Sequence, residues 1–246
     1  MTVIIRAITD SGFVVAADGR LTAEDKKTPI NGDVQKIFPI SSANGKFAIS
    51  FTGGRLACEV DLVRAFRDSA SALALDVITD LPNYLGRLCA PIKSALDSCL
   101  FDPQDGRFDE DLPGRTIAEI FVDGFLDTYP RSGSIRLFHL DGHIQNPELY
   151  GEPLPHPPMI HGSEFLTKAL YGDIPDLRFL QYRVSLTSPL QAETVVKITR
   201  RYIDACADPL AIDMDDFCLS VGGHLHVATV TRESGFQWLS GYEPVE

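Results

Sequence analysis

Four residues in the first quarter of the chain carry side chains or backbone that could together hydrolyse an amide: Thr2, Asp18, Lys36 and Gly53. If Met1 is removed, Thr2 offers a hydroxyl nucleophile and a free α-amine in one residue. An α-amine with an ordinary pKa of about 7.7 to 8.0 can take the hydroxyl proton near neutral pH. A cation at Lys36 disfavours the charged form of that amine and so keeps it available as a base. Asp18 is the counter-charge that would hold Lys36. Gly53 lets a backbone N–H approach an oxyanion with no side chain in the way. Singly, each residue also has a plain reading. Threonine is common at position two, Asp18 is a turn residue after a strand, Lys36 a solvated strand-edge charge, and Gly53-Gly54 a strand-to-helix turn.

The elements that must position these residues are legible around them. Apolar runs at Val3 to Ile8 and Phe13 to Ala17 flank Thr9-Asp10-Ser11-Gly12, a turn-forming set that predicts an opening β-hairpin. A polar stretch from Thr22 to Asp33 precedes two further predicted strands, Val34 to Ile40 and Phe47 to Phe51, the second ending at Thr52-Gly53-Gly54. Leu56, Val60, Val63 and Phe66 then recur at helical spacing. A second helix carries Leu81, Leu85, Leu88, Ile92, Leu96 and Leu100 on one stripe, with Pro91 expected to kink it.

Beyond a polar loop at Phe101 to Arg115, strand composition returns at Thr116 to Val122 and Ser134 to Leu140, where a second sheet is expected to begin. The five prolines and one glycine between Gln145 and Ile160 predict a surface loop with rigid geometry at a subunit interface. Helices are expected at Ser163 to Tyr171 and Ala192 to Cys206, and a terminal hairpin at Leu225 to Thr231 and Phe236 to Leu239. Strands and helices in segregated runs indicate an α+β fold, and no linker or repeat divides residues 1–246, so a single domain is expected.

The composition narrows the function classes. With 246 residues, 44% apolar and 23% charged, the chain has ample core-forming material. Its net charge of −12 and lack of a basic stretch argue against nucleic acid. Met1 to Arg6 does not resemble a signal peptide and no window approaches a membrane span, so a cytoplasmic protein is expected. The five cysteines, at 58, 89, 99, 206 and 218, read as reduced buried thiols. No CxxC pattern occurs.

Thr2, Ala17-Asp18-Gly19-Arg20, Val34-Gln35-Lys36-Ile37-Phe38 and Thr52-Gly53-Gly54 together resemble a proteasome β-type subunit, a group that includes the bacterial HslV-type and Anbu-type peptidases. The match is close from Met1 to about Phe66, and the later elements agree in order and approximate length. The resemblance implies a four-layer αββα sandwich of two antiparallel sheets and an N-terminal nucleophile hydrolase, most readily a self-compartmentalising threonine peptidase with Thr2 as nucleophile. It implies a peptide or unfolded-protein substrate, a homo-oligomeric ring or open helical ring, an ATPase or adaptor as a possible partner, and no cofactor. His161-Gly162-Ser163-Glu164 is similar to the family's Gly-Ser-Gly segment, which makes Ser163 the serine that supports the threonine amine. Leu21, Val34, Phe38, Phe51, Arg55 and Glu59 are implied around the pocket for the residue before the cleaved bond. One departure is visible: Cys218 stands where the family commonly has an aspartate before Gly222-Gly223, with Asp216 and Ser220 out of register. The alternatives are an amidase with the same nucleophile acting on a small amide or acyl compound, and a catalytically silent structural subunit that keeps Met1.

Two other groups have chemistry-bearing side chains. His224 and His226 share one face of a strand and could form half of a metal site, yet sequence places no third ligand, so a core or interface role is expected and no metal. Asp213, Asp215 and Asp216 read as a solvated loop.

Overall fold

The computed structural model describes residues 2–22, 28–53, 56–57, 60–100, 115–140, 143–144, 149–151, 154–174, 177–186 and 190–245. The predicted loop at Phe101 to Arg115 falls outside them, apart from Arg115. The chain divides into two compact units, Met1–Ile37 with Pro153–Glu246, and Phe38–Glu152.

The first unit opens with β1 (Ile4–Thr9) and β2 (Gly12–Asp18), paired antiparallel from Ile4↔Ala17 to Thr9↔Gly12. The hairpin needs glycine at its corner. Gly12 has φ +137, and a Cβ there would stand 2.3 Å from the Val230 carbonyl oxygen. All seven residues of β2 are buried, and Phe13 to Ala17 read as a continuous apolar run with no alternation. The polar stretch from Thr22 to Asp33 contains part of a small ladder, β3 (Leu21–Thr22) with β4 (Pro29–Asn31).

The second unit holds β5 (Ile37–Ser41), β6 (Gly45–Gly53), β7 (Leu56–Ala57), β8 (Val60–Asp61), α1 (Leu62–Ala72), α2 (Leu81–Leu100), β9 (Arg115–Leu126), β10 (Tyr129–Leu140), β11 (His143–Ile144) and β12 (Leu149–Gly151). Its main sheet runs β11-β10-β9-β6-β5, with β12 also on β10. Thus β9 and β10 do not open a second sheet as the sequence suggested. They extend the one that β6 belongs to, since β6 pairs with β9 from Gly45↔Leu126 to Gly53↔Ala118. Val34, Gln35 and Lys36 are not strand either; β5 starts only at Ile37, because the preceding backbone is drawn to the 19–20 turn, where Val34 N–H donates to Gly19. The first helix begins at Leu62 and not near Leu56. Asp61, in an extended conformation, accepts the Arg64 N–H and caps it. Pro91 lies inside α2, which continues to Leu100.

The chain returns to the first unit with β13 (Met159–His161), α3 (Glu164–Tyr171), α4 (Ala192–Cys206), α5 (Pro209–Met214), β14 (Leu225–Thr231) and β15 (Gly235–Trp238). Its sheet runs β13-β1-β2-β14-β15. The expected proline-rich surface loop is in part tied down. Ile8 N–H donates to the Pro155 carbonyl at 3.0 Å and Met159 to His161 form the edge strand on β1. Helix α5, unforeseen in the sequence, is capped by Asp208, whose side chain accepts the Leu210 N–H.

Each unit buries one face of its sheet under helices. In the first, Val3, Ile5, Ala7, Val14 and Ala16 pack with Leu166, Leu170, Val195, Ile198 and Tyr202. In the second, Phe47, Ile49, Ile120 and Val122 pack with Leu62, Phe66, Leu85, Leu88 and Ile92. The result is a mixed α/β fold with antiparallel sheets. Among the described residues no helix is long and apolar enough to cross a membrane. Leu88 is fully buried in the second core, and Leu88→Ala is expected to lower the unfolding free energy by about 2 to 5 kcal/mol in urea titration; an unchanged midpoint would contradict its place there.

Candidate active site

The site is built where β1, β2 and β14 lie side by side. Register puts Asp18 opposite Leu225 on one side. On the other, continuing the ladder one step past Ile4↔Ala17 puts Asp18 against Val3, and the Asp18 N–H donates to the Val3 carbonyl at 3.3 Å. The Asp18 carboxylate, fully buried, receives four donors. Lys36 Nζ lies 3.0 Å and the Val3 N–H 2.9 Å from Oδ1; the Gly222 N–H lies 3.1 Å and the Arg20 N–H 3.3 Å from Oδ2. A carboxylate can be sealed from water only when its lone pairs are filled in this way.

The Val3 N–H belongs to the peptide bond that follows Thr2. One carboxylate oxygen therefore holds both the Thr2–Val3 peptide and the Lys36 ammonium. Lys36 donates a second bond, 2.8 Å, to the Arg20 carbonyl. Burial pushes its pKa below the ordinary lysine value, with Asp18 opposing the shift and Arg20 adding to it. Thr2 itself is buried, with 3% of its surface exposed.

The expected support from Ser163 has a register basis. Ile4 pairs with His161, so continuing the antiparallel ladder sets Val3 against Gly162 and Thr2 against Ser163. The close approach is visible at Gly162, where a Cβ would meet the Val3 side chain at 3.3 Å and the Tyr202 hydroxyl at 2.4 Å. Ser163 is buried and caps α3, its Oγ accepting the Leu166 N–H at 3.2 Å, while its own N–H donates to the Tyr202 hydroxyl at 2.6 Å. A serine hydroxyl that accepts one bond retains its own hydrogen to donate.

The remaining predicted residues are distributed over both units. Leu21 lies in β3, half-buried, and Val34 is buried near Asp18's turn. Gly53 ends β6, and Phe51 two residues earlier is buried, as is Phe38 on β5. Arg55 and Glu59 lie outside the described residues. The acidic cluster is local structure: Asp215 caps a short 3₁₀ turn by accepting the Phe217 N–H, and Asp213 and Asp216 are exposed. Ser220 is buried, donating to the Phe217 carbonyl, and Cys218 is buried against the α4 core.

Sequence reasoning missed Gly222 as a donor to Asp18. Its φ of +141, with the Arg20 guanidinium where a Cβ would sit, requires glycine. The Gly222-Gly223 pair signalled a turn, but a backbone N–H carries no residue signature of its partner.

This geometry sits in a fold shared with known structures. An Anbu (Gly-1) mutant from Hyphomicrobium sp. strain MC1 superposes over 98% of this chain and 89% of its own, with TM-score 0.58 and 14% identity. The helical assembly of the Anbu complex from Pseudomonas aeruginosa matches over 98% and 88%, with TM-score 0.60 and 16% identity. Anbu, the ancestral beta-subunit, from Yersinia bercovieri matches over 98% and 88%, with TM-score 0.57 and 13% identity. The chain has the Anbu fold. This bears out, as a likeness of fold, the proteasome-type resemblance read from Thr2, Asp18, Lys36 and Gly53. No protein-family model matches the sequence, and no curated protein matches it. The Anbu fold accounts for nearly the whole chain, so the agreement extends well past Phe66, where the sequence resemblance weakens.

The donor set on Asp18 predicts an asymmetry in stability. Asp18→Ala strands a buried ammonium and three N–H groups and should cost about 3 to 5 kcal/mol, whereas Lys36→Met leaves Asp18 with its three backbone donors and should cost less. Chemical denaturation of both variants checks this; an equal or reversed order would remove Asp18 from the centre of the network.

Proposed function

We propose that this chain is an N-terminal threonine hydrolase, with Thr2 as nucleophile once Met1 is removed, and that its reaction is cleavage of peptide bonds. The observation that carries the reading is the Asp18 carboxylate bonded through one oxygen to the Val3 N–H and to Lys36. A buried lysine held beside the Thr2–Val3 peptide has an evident use if Thr2 has a free amine to tune. In this reading Thr2 Oγ attacks the substrate carbonyl and the Thr2 amine, directly or through water, takes the proton. Lys36 lowers the affinity of that amine for its proton, and Asp18 fixes Lys36. The Gly53 N–H stabilises the oxyanion, and Ser163 supports the amine. The tetrahedral intermediate collapses by breaking the peptide C–N bond, the Thr2 amine passing its proton to the leaving amine; a water molecule, giving a proton to the Thr2 amine, then attacks the ester, and that proton returns to Thr2 Oγ as the acid is released.

The pocket assignment to Leu21, Val34, Phe51 and Arg55 belongs to the same reading, as does one αββα four-layer domain made of both units. The sheet-and-helix make-up of each unit and the Anbu likeness over 98% of the chain support it. Assembly of copies into a ring or open helical ring goes with it, in line with the helical assembly of the Pseudomonas aeruginosa protein. Such an enclosure would admit peptide or unfolded protein and exclude folded chains.

Intact mass of protein from its native host should show loss of Met1, and that protein should turn over fluorogenic peptides. Thr2→Ala and Lys36→Ala should each lower kcat/KM by about 10²-fold or more, the order seen when a nucleophile or its activating group is lost. Retention of Met1, or turnover unchanged in Thr2→Ala, would refute the mechanism.

A further inference from the structure

A second polar cluster lies at the start of β14, apart from the Asp18 carboxylate. His224 is half-buried just ahead of the strand and His226 is fully buried on it, with ring centroids 5.1 Å apart. The segment leading into Lys36 brings Asp33 to them, and Asp33 Oδ1 lies 2.6 Å from His226 Nε2. One donor atom from each of Asp33, His224 and His226 lies within 4.8 Å of the others. The sequence showed two histidines on one face and no third ligand; the fold supplies it from 193 positions away.

We propose that Asp33, His224 and His226 bind a divalent transition-metal ion of the zinc class. Two imidazoles and one carboxylate are a donor set that suits such ions, with room left for water in the remaining positions. Donors bound at about 2 Å from one tetrahedral ion stand about 3.3 Å apart, so the cluster closes when the outlying donor moves in by up to about 1.5 Å and the Asp33–His226 contact opens by less than about 1 Å. The half-buried His224 can supply that movement.

The surroundings already hold the donors as outer partners of a metal site do. Asp33 Oδ2 accepts the Val245 N–H at 2.7 Å, its own N–H donates to Asn31 Oδ1 at 2.8 Å, and His224 Nε2 lies 3.1 Å from the Glu243 carbonyl oxygen. The His224 N–H donates to the Gly32 carbonyl at 2.6 Å, tying the two segments together. His226 Nδ1 is buried and has no hydrogen-bond partner among the described residues. An ion between Nε2 and Oδ1 replaces the proton shared there. The ring proton then moves to Nδ1, an atom unpaired in either tautomer, so no additional unpaired group arises. Lys36 works against a cation at His226, and the Asp33 carboxylate offsets it. Bound metal would pin the 31–34 segment, three residues ahead of Lys36, and the 243–245 segment to β14.

The test uses the full chain, untagged and stripped with EDTA, titrated with zinc chloride by calorimetry and with cobalt chloride by visible absorption. One-to-one saturable zinc binding that raises Tm is expected, together with cobalt bands of a nitrogen- and oxygen-ligated site. His224→Ala removes a half-buried ligand and leaves the His226–Asp33 pair; it should weaken zinc binding by about 10- to 100-fold or more and abolish the cobalt bands. Absence of saturable binding in the natural sequence, or full affinity kept in His224→Ala, overturns the proposal. If circular dichroism shows that His224→Ala has lost its fold, Asp33→Asn is read by the same criteria. Peptide turnover does not enter either readout.

Discussion

A carboxylate sealed from water has to find its bonding partners inside the protein, and Asp18 organises much of the first unit by doing so. It has no exposed surface, and its two oxygens draw in the Lys36 ammonium and the backbone N–H groups of Val3, Arg20 and Gly222. Each partner comes from a different stretch of chain: the N-terminal strand, the turn after β2, the segment before β5, and the turn before β14. Removing the carboxylate would strip that partner from a buried ammonium and three N–H groups at once, which costs more than any one bond contributes. The four segments are thereby held in register around the first residues of the chain. Lys36 depends on this arrangement most directly, since burial alone would favour its neutral form and Asp18 is what opposes that.

The apolar packing supplies the rigidity that the polar network requires. Val3, Val14 and Ala16 lie under α3 and α4, so β1 and β2 cannot slide without exposing core. Tyr202 of α4 reaches Ser163 and so links the helix layer to the edge strand beside Thr2. Burial pushes the Tyr202 phenol far above its ordinary pKa, which keeps it neutral and able to serve as both donor and acceptor there. The placement of Ser163 thus rests on a helix cap, a tyrosine and a strand register acting together.

Local pattern was a good guide where the physics is local. The β1–β2 hairpin, α2 and α4 stand where the turn residues and helical stripes put them, because propensity, periodicity and burial agree over each segment. It failed where a tertiary bond competes with a local preference. Val34 to Lys36 has strand composition, yet its backbone and the Lys36 side chain are claimed by the 18–20 turn. Leu56 and Val60 fit a helical stripe, yet Asp61 caps the helix after them. Assigning β9 and β10 to a sheet was beyond any local rule, since composition shows that a segment is a strand and not which strand it joins.

For the site, the types and spacing of Thr2, Asp18, Lys36 and Gly53 were enough to nominate a nucleophile, its base, a tuning cation and an oxyanion donor. That much follows from side-chain chemistry that any reader of the chain can apply. Only the tertiary structure decided what fills the remaining valences: the Gly222 N–H on Asp18, the Arg20 carbonyl on Lys36, and Asp33 beside His224 and His226. The reason is physical. Backbone donors and acceptors are the same at every residue, and a carboxylate near position 33 meets a histidine near position 226 only after the segment following β4 has been folded against the start of β14.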